Sequence, residues 1–164
     1  SNLAGGTDGD IDALNCPVEV LEKSFAINTK SHFLATQAAL PVLLEGGGGA
    51  MIYTSSGAAA NGAPWQGAYP MTKNAIHALA RHVAQKWGKK GIRANVICPG
   101  LVLTEAASVH LTDEYRVAGL EAIPHTRPGQ PEDIAAAVTL LASEDGEWVN
   151  GQVWHVNGGS LKRD

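Results

Sequence analysis

Apolar residues recur at helical spacing through residues 17–45, as Leu21 and Phe25 and then Phe33, Leu34 and Ala38. That spacing predicts a helix in two parts with this set as its apolar face. Pro17 opens it, Glu19 sits in its first turn, and Pro41 is expected to bend or fray its end. Four glycines at 46–49 then stop it. No Lys-Ser or Lys-Thr follows them, and a strand comes next, so they read as a connector rather than a phosphate loop. Residues 50–54 (AMIYT) predict a short buried strand, 55–66 a loop, and 69–87 a strong helix whose inner face is Ile76, Leu79, Ala80, Val83 and Trp87. Gly88 and Gly91 end that helix, with Lys86, Lys89 and Lys90 at the negative end of its dipole. A strand over 92–97, one or two short helices over 104–120, a Pro-initiated helix over 131–143 and a last strand over 152–156 complete the pattern. Short apolar strands alternating with helices predict an α/β domain with a parallel sheet.

Composition narrows the class. The 164 residues, 45% hydrophobic and 17% charged, suffice for one domain with a real core. A net charge of −4 argues against nucleic acid as a partner. The apolar runs are too short to cross a bilayer, so no membrane role is expected. Cys16 and Cys98 form neither a disulfide framework nor a metal-binding pair, which fits a reducing, cytoplasmic setting.

Two acidic or polar clusters invite chemistry. Asp8, Asp10, Asp12 and Glu19 occupy the first, third, fifth and twelfth places of a possible calcium loop. The sixth place, where glycine is needed, is Ala13, and no helix pattern precedes the stretch. A solvated loop without metal is therefore the expected reading. Ser56, Tyr69 and Lys73 are more informative. Tyr69 and Lys73 lie four apart and share one helix face. An ammonium one turn away favours the phenolate, which makes a phenol usable as a general acid or base near neutrality. Ser56 follows a strand, where ligands gather in open α/β sheets, and its hydroxyl could hold the same substrate oxygen. His77 and His82, five apart, are not placed as a zinc pair and are expected at the surface or partly buried. Cys98 reads as a small buried residue, Trp65 as either a pocket or a packing residue, and Trp154 as core or subunit interface.

These residues stand among others that together resemble the short-chain dehydrogenase/reductases. Asn2-Leu3-Ala4-Gly5 resembles that family's N-N-A-G element, with Leu3 in place of an Asn. Asn28 matches its helix asparagine, TSSG at 54–57 its serine segment, and YPMTK at 69–73 its Y-x-x-x-K. IRANVICPG at 92–100, followed by Thr104, and the segments 127–135 and 151–159 match its later elements, with Asn157 replacing a usual Asp. The resemblance implies a partial Rossmann-like, doubly wound parallel sheet in a single domain over 1–164. It implies an NAD(P)-dependent oxidoreductase interconverting a secondary alcohol and a ketone, 3-oxoacyl reduction being one option. Tyr69 would be the acid/base, Lys73 its partner and the holder of the nicotinamide ribose, Ser56 the residue orienting the substrate oxygen, and Asn28 the support of a proton relay. Asn2, Ala4, Gly5, Pro99, Gly100, Val102 and Thr104 would line NAD or NADP. The segment 105–127, with Val109, Leu111, Tyr115 and Leu120, would form a substrate lid. A homo-oligomer, dimer or tetramer, is implied.

Neither G-x-G-x-x-G nor G-x-x-x-G-x-G occurs among the nineteen glycines, so no pyrophosphate-binding turn of the usual kind is present. The expectation is a fragment that carries the catalytic half and lacks the first βαβ units, leaving the choice between NAD and NADP open. The alternative is a catalytically silent module that binds a partner chain.

Overall fold

The computed structural model describes residues 8–104 and 113–161. Helix α1 (Val18–Ser24) runs into a single wider, π-helical stretch (Phe25–Lys30) and on into α2 (Ser31–Glu45). After β1 (Gly49–Thr54) come α3 (Ala58–Asn61) and α4 (Ala68–Trp87). Strand β2 (Ile92–Pro99), α5 (Asp113–Glu121), α6 (Pro131–Ala142) and β3 (Val153–Val156) follow. The three strands form one parallel sheet in the order β1-β2-β3, with Gly49 opposite Ile92 and Val96 opposite Val153. Parallel neighbours require crossovers, and the intervening helices supply them.

Central strand β2 shows why the sheet is covered on both sides. Successive side chains point to opposite faces. Ile92, Ala94, Val96 and Cys98 pack with Ile76, Ala80, Val83 and Ala84 of α4 in the main core. Ile76, Val83, Ile92 and Val96 are completely buried, each stabilising by roughly 1.5–3 kcal/mol. On the opposite face Arg93 donates to the carbonyls of Leu141, Ser143 and Gly146, which closes the C-terminal end of α6. Buried Asn95 ties in the approach to β3, donating to the Val149 carbonyl and accepting from the Gln152 amide.

The four-glycine connector has a steric reason. A Cβ on Gly48 would lie 2.7 Å from the Gly91 carbonyl oxygen, and one on Gly91 would lie 2.8 Å from that of Gly47. Both have positive φ, 141° and 79°. Two turns cross backbone to backbone here, so only glycine fits.

Three expectations need correction. Helix α2 passes through Pro41 and ends at Glu45 without fraying earlier. The loop after β1 contains the short helix α3. Most consequential, the face of residues 17–45 that turns inward is not the apolar one. The buried stripe is Ser24, Asn28, His32, Thr36 and Leu40, whereas Phe33, Leu34 and Ala38 are exposed. Part of the polar stripe finds partners there, while His32 Nε2 is buried with no hydrogen-bond partner among the described residues. Thr29 donates to the Thr72 carbonyl of α4, and the hydroxyls of Thr36 and Tyr53 lie 2.9 Å apart. A buried polar group is tolerated when it is hydrogen-bonded. No helix among the described residues is long and apolar enough to cross a membrane.

Candidate active site

Helix α4 carries the site on its first two turns. Lys73 is completely buried, and its Nζ lies 5.7 Å from the centre of the Tyr69 ring. It donates to the Thr54 carbonyl at the end of β1. Ser56, just beyond that strand, stands close enough to the half-buried Tyr69 phenol for its hydroxyl to favour the phenolate. The three side chains singled out in the sequence thus meet at the C-terminal end of β1, where open α/β sheets place ligands.

The electrostatics differ from the simple sequence argument. Burial pushes the Tyr69 phenol above its ordinary value, and the Ser56 hydroxyl opposes that. Burial also pulls the Lys73 ammonium down to about 8, with Cys98 acting against it. Both shifts favour the neutral forms, as desolvation should. At neutral pH the pair therefore rests as phenol and ammonium, with a proton to give.

Asn28 lies in the π-helical stretch, completely buried, donating to the Ser24 carbonyl at 3.2 Å. A single π turn inside an α-helix often marks a functional position, because it redirects a side chain and frees backbone groups. Here Nδ1–H of His32 donates to the Asn28 carbonyl at 2.5 Å. Burial, with a contribution from the Lys73 charge, holds the His32 imidazole below its ordinary value. The Thr29 bond to Thr72 fixes this stretch against the residue preceding Lys73.

Behind Lys73 lies a chain that sequence reasoning did not assemble. Ser55 Oγ donates to the Lys73 carbonyl at 3.1 Å, so it accepts from His77 Nε2–H at 2.8 Å. Cys98 Sγ is 3.6 Å from the same ring nitrogen. His77 is buried rather than at the surface, and burial, aided by Arg81 and His155, pulls it down to about 4. Its spacing from Lys73, one helical turn, was the available signal.

The acidic stretch is likewise re-read. Asp10 turns its carboxylate to the start of α4, where it accepts from the amides of Gly67, Ala68 and Tyr69 at 3.1, 2.9 and 2.7 Å. Asp12 closes a local turn on Leu14 and Asn15. Among the described residues no three His, Cys, Asp or Glu side chains are placed to hold a metal.

The Pro99–Gly100 turn follows β2 beside this site, with the Pro99 carbonyl accepting from the Gly57 amide at 3.2 Å. A Cβ on Gly100 would lie 2.7 Å from Asn157 Cα, so the turn presses against the end of β3. Val102 pairs with Gly129, and Thr104 is exposed. A cavity of about 190 Å³ lies behind the turn, lined by Leu101, Val102, Ile123, His125 and Arg127 among others. None of Asn28, Ser56, Tyr69 or Lys73 lines it. Asn2, Ala4 and Gly5 lie outside the described residues, as do Val109, Leu111 and the side chain of Tyr115 in the expected lid. Trp65 is exposed and Trp154 half-buried.

The family model described as enoyl-(acyl carrier protein) reductase matches residues 1–160. The chain is 37% identical to a short-chain type dehydrogenase/reductase of Picea abies, covering 98% of this chain and 59% of that protein. The chain belongs to the short-chain dehydrogenase/reductase family. Another relative in the family, at 36% identity over 89% of this chain and 58% of its own length, is an L-rhamnose 1-dehydrogenase (NAD(P)(+)) of Sphingomonas sp.. Among solved structures, a 7α-hydroxysteroid dehydrogenase complexed with NADH and 7-oxo glycochenodeoxycholic acid superposes with a TM-score of 0.87 at 34% identity. That match covers 98% of this chain and 62% of the other. The chain thus spans about three fifths of the length of the family members it matches.

Proposed function

We propose that this chain is the acid/base and substrate-facing part of an NAD(P)-dependent oxidoreductase that interconverts a secondary alcohol and a ketone. The observation that carries the reading is the convergence of Ser56, Tyr69 and Lys73 at the end of β1, with Asn28 buried in the π-helical stretch packed against the same helix. The donor set fits the nicotinamide-ribose end of a dinucleotide: a buried ammonium beneath a phenol can hold vicinal hydroxyls, and the Pro99–Gly100 turn borders the same strand end. When bound, the cofactor supplies or accepts the hydride.

The chain's residues do the rest. Ser56 donates a hydrogen bond to the substrate carbonyl oxygen and aligns it with the phenol. Tyr69 gives its O–H proton to that oxygen as the carbon is reduced, leaving a phenolate. Lys73 stabilises the phenolate with its charge and returns a proton to it. In oxidation the same proton moves in reverse. Proton transfer by a positioned group contributes about 10²–10⁴-fold, and alignment contributes further.

The substrate class that this chemistry takes is secondary alcohols and ketones. The relatives include enzymes named for a sugar and for a steroid, and a 3-oxoacyl thioester is a third option. The test is an assay of the full-length protein with NADH and NADPH against 3-oxoacyl, steroid and sugar substrates, beside the Tyr69→Phe variant. Turnover in the wild type and its loss in the variant, with nucleotide binding retained, is the expected result. Turnover that survives Tyr69→Phe overturns the assignment.

A further inference from the structure

The helix that carries the acid/base begins without a capping side chain of its own. Gly67 stands at the cap position, and no local side chain bonds the first amides. Four N–H groups at a helix start have no partner within the helix. Here a distant segment supplies one. Both oxygens of Asp10, a residue only 9% exposed, are used: Oδ1 accepts from Gly67 and Ala68, and Oδ2 from Tyr69 itself. The Ile11 carbonyl adds a fourth bond, from the Gly67 amide at 2.9 Å. A side chain on Gly67 would lie 3.3 Å from that carbonyl oxygen, so loop and helix start are in direct backbone contact.

The loop holding Asp10 is itself braced. Asp12 Oδ1 accepts from the amides of Leu14 and Asn15, and the Asn15 side chain returns to both Asp12 oxygens at 3.0 Å. Such Asx turns fix a loop with its own side chains. The carboxylate therefore presents a fixed seat to the helix, and Tyr69 takes the bond of 2.7 Å.

We propose that Asp10 is a positioning residue for Tyr69, joining the loop that follows residues 2–5 to the start of the acid/base helix. A simple cap would stabilise α4 and leave turnover untouched. Asp10 does more, because one of its oxygens is bonded to the backbone of the acid/base residue. A shift of that backbone moves the phenol against Ser56 and Lys73, and misplacement by about 1 Å can cost on the order of 10²-fold in rate. The inference rests on Tyr69 being the acid/base.

The test compares Asp10→Ala, Asp10→Asn and Tyr69→Phe in the full-length protein, well below each variant's unfolding temperature. Asp10→Ala is expected to lower kcat on the order of 10- to 100-fold per folded molecule, with substrate KM within about twofold of wild type. Asp10→Asn puts an NH2 where one oxygen stood. The flip that keeps two bonds rather than one leaves the oxygen on Gly67 and Ala68 and turns the NH2 to the Tyr69 amide, so the variant's kcat should fall between wild type and Asp10→Ala. Wild-type kcat in folded Asp10→Ala, with only the unfolding midpoint lowered, overturns the proposal and leaves a structural cap. Should Asp10→Ala fail to fold, unchanged kcat in Asp10→Asn overturns it equally. Turnover retained by Tyr69→Phe sinks the underlying reading instead, so the two failures are told apart.

Discussion

The two halves of α4 are built on opposite principles. From Ile76 to Trp87 its inner face is apolar apart from His77, and Ile76, Ala80 and Val83 are buried in the core against β2. From Ala68 to His77 the inner face also buries three polar side chains, Thr72, Lys73 and His77, beside Ala68 and Ile76. The first half could be replaced by any close-packed apolar set of similar volume. The second is tied to single partners: Asp10, Thr54, Ser55 and Thr29. Burying a lysine and a histidine costs stability, visible in the pull of Lys73 to about 8 and His77 to about 4. Polar burial of that kind is where function is to be sought.

The contrast can be broken most severely at Tyr69. Replacement by Phe should cost turnover on the order of 10²–10⁴-fold while the unfolding midpoint stays close to wild type, since the ring remains. Steady-state kinetics and a thermal melt read both. At the other end, Ile76→Ala should cost about 2–5 kcal/mol of stability and leave kcat per folded molecule unchanged, as denaturant titration beside the same assay will show. A reversal of these two effects would dissolve the division.

A smaller effect is the pH profile of ketone reduction. Lys73 must stay charged to hold and reprotonate the phenolate, so the rate should fall above pH about 8, about tenfold per pH unit. A limb near the ordinary lysine range would show that burial does not pull the Lys73 ammonium down. Smallest is a stability slope from His77. Its folded pKa, about 4, lies below the ordinary 6.5, so the unfolded chain binds more protons between those values. Stability should therefore fall as pH drops from about 6.5 toward 4, by at most about 1.4 kcal/mol per pH unit. His77→Gln, which can still donate to Ser55, should flatten that slope in urea titrations run across this range.

The structure bears on how far each residue could be read in advance. The place of Ser56 beside Tyr69 and Lys73 came from the strand end it follows and from the family resemblance. Tyr69 and Lys73 themselves share a helix face because they are four apart, which spacing alone makes legible. The apolar stripe Ile76, Ala80, Val83 was legible for the same reason. Residues 17–45 show the limit. Phe33 and Leu34 look like core and are exposed, while Asn28, His32 and Thr36 look like surface and are buried. Periodicity identifies two stripes but cannot rank them when the polar one has partners elsewhere in the chain. The same applies to Asp10, read as loop or calcium ligand, whose three bonds span 57 to 59 residues.

Local chemistry, then, settled the order of helices and strands, the glycine stops and the shared face of phenol and ammonium. Those depend on the backbone period and on near neighbours, which any stretch of chain carries within itself. Tertiary contact decided which stripe of α2 faces inward, what holds the first turn of α4, and that His77 stands behind Lys73 through Ser55. Each of these matches a buried donor to an acceptor distant in sequence, and only the folded chain brings such pairs within 3 Å or so of one another.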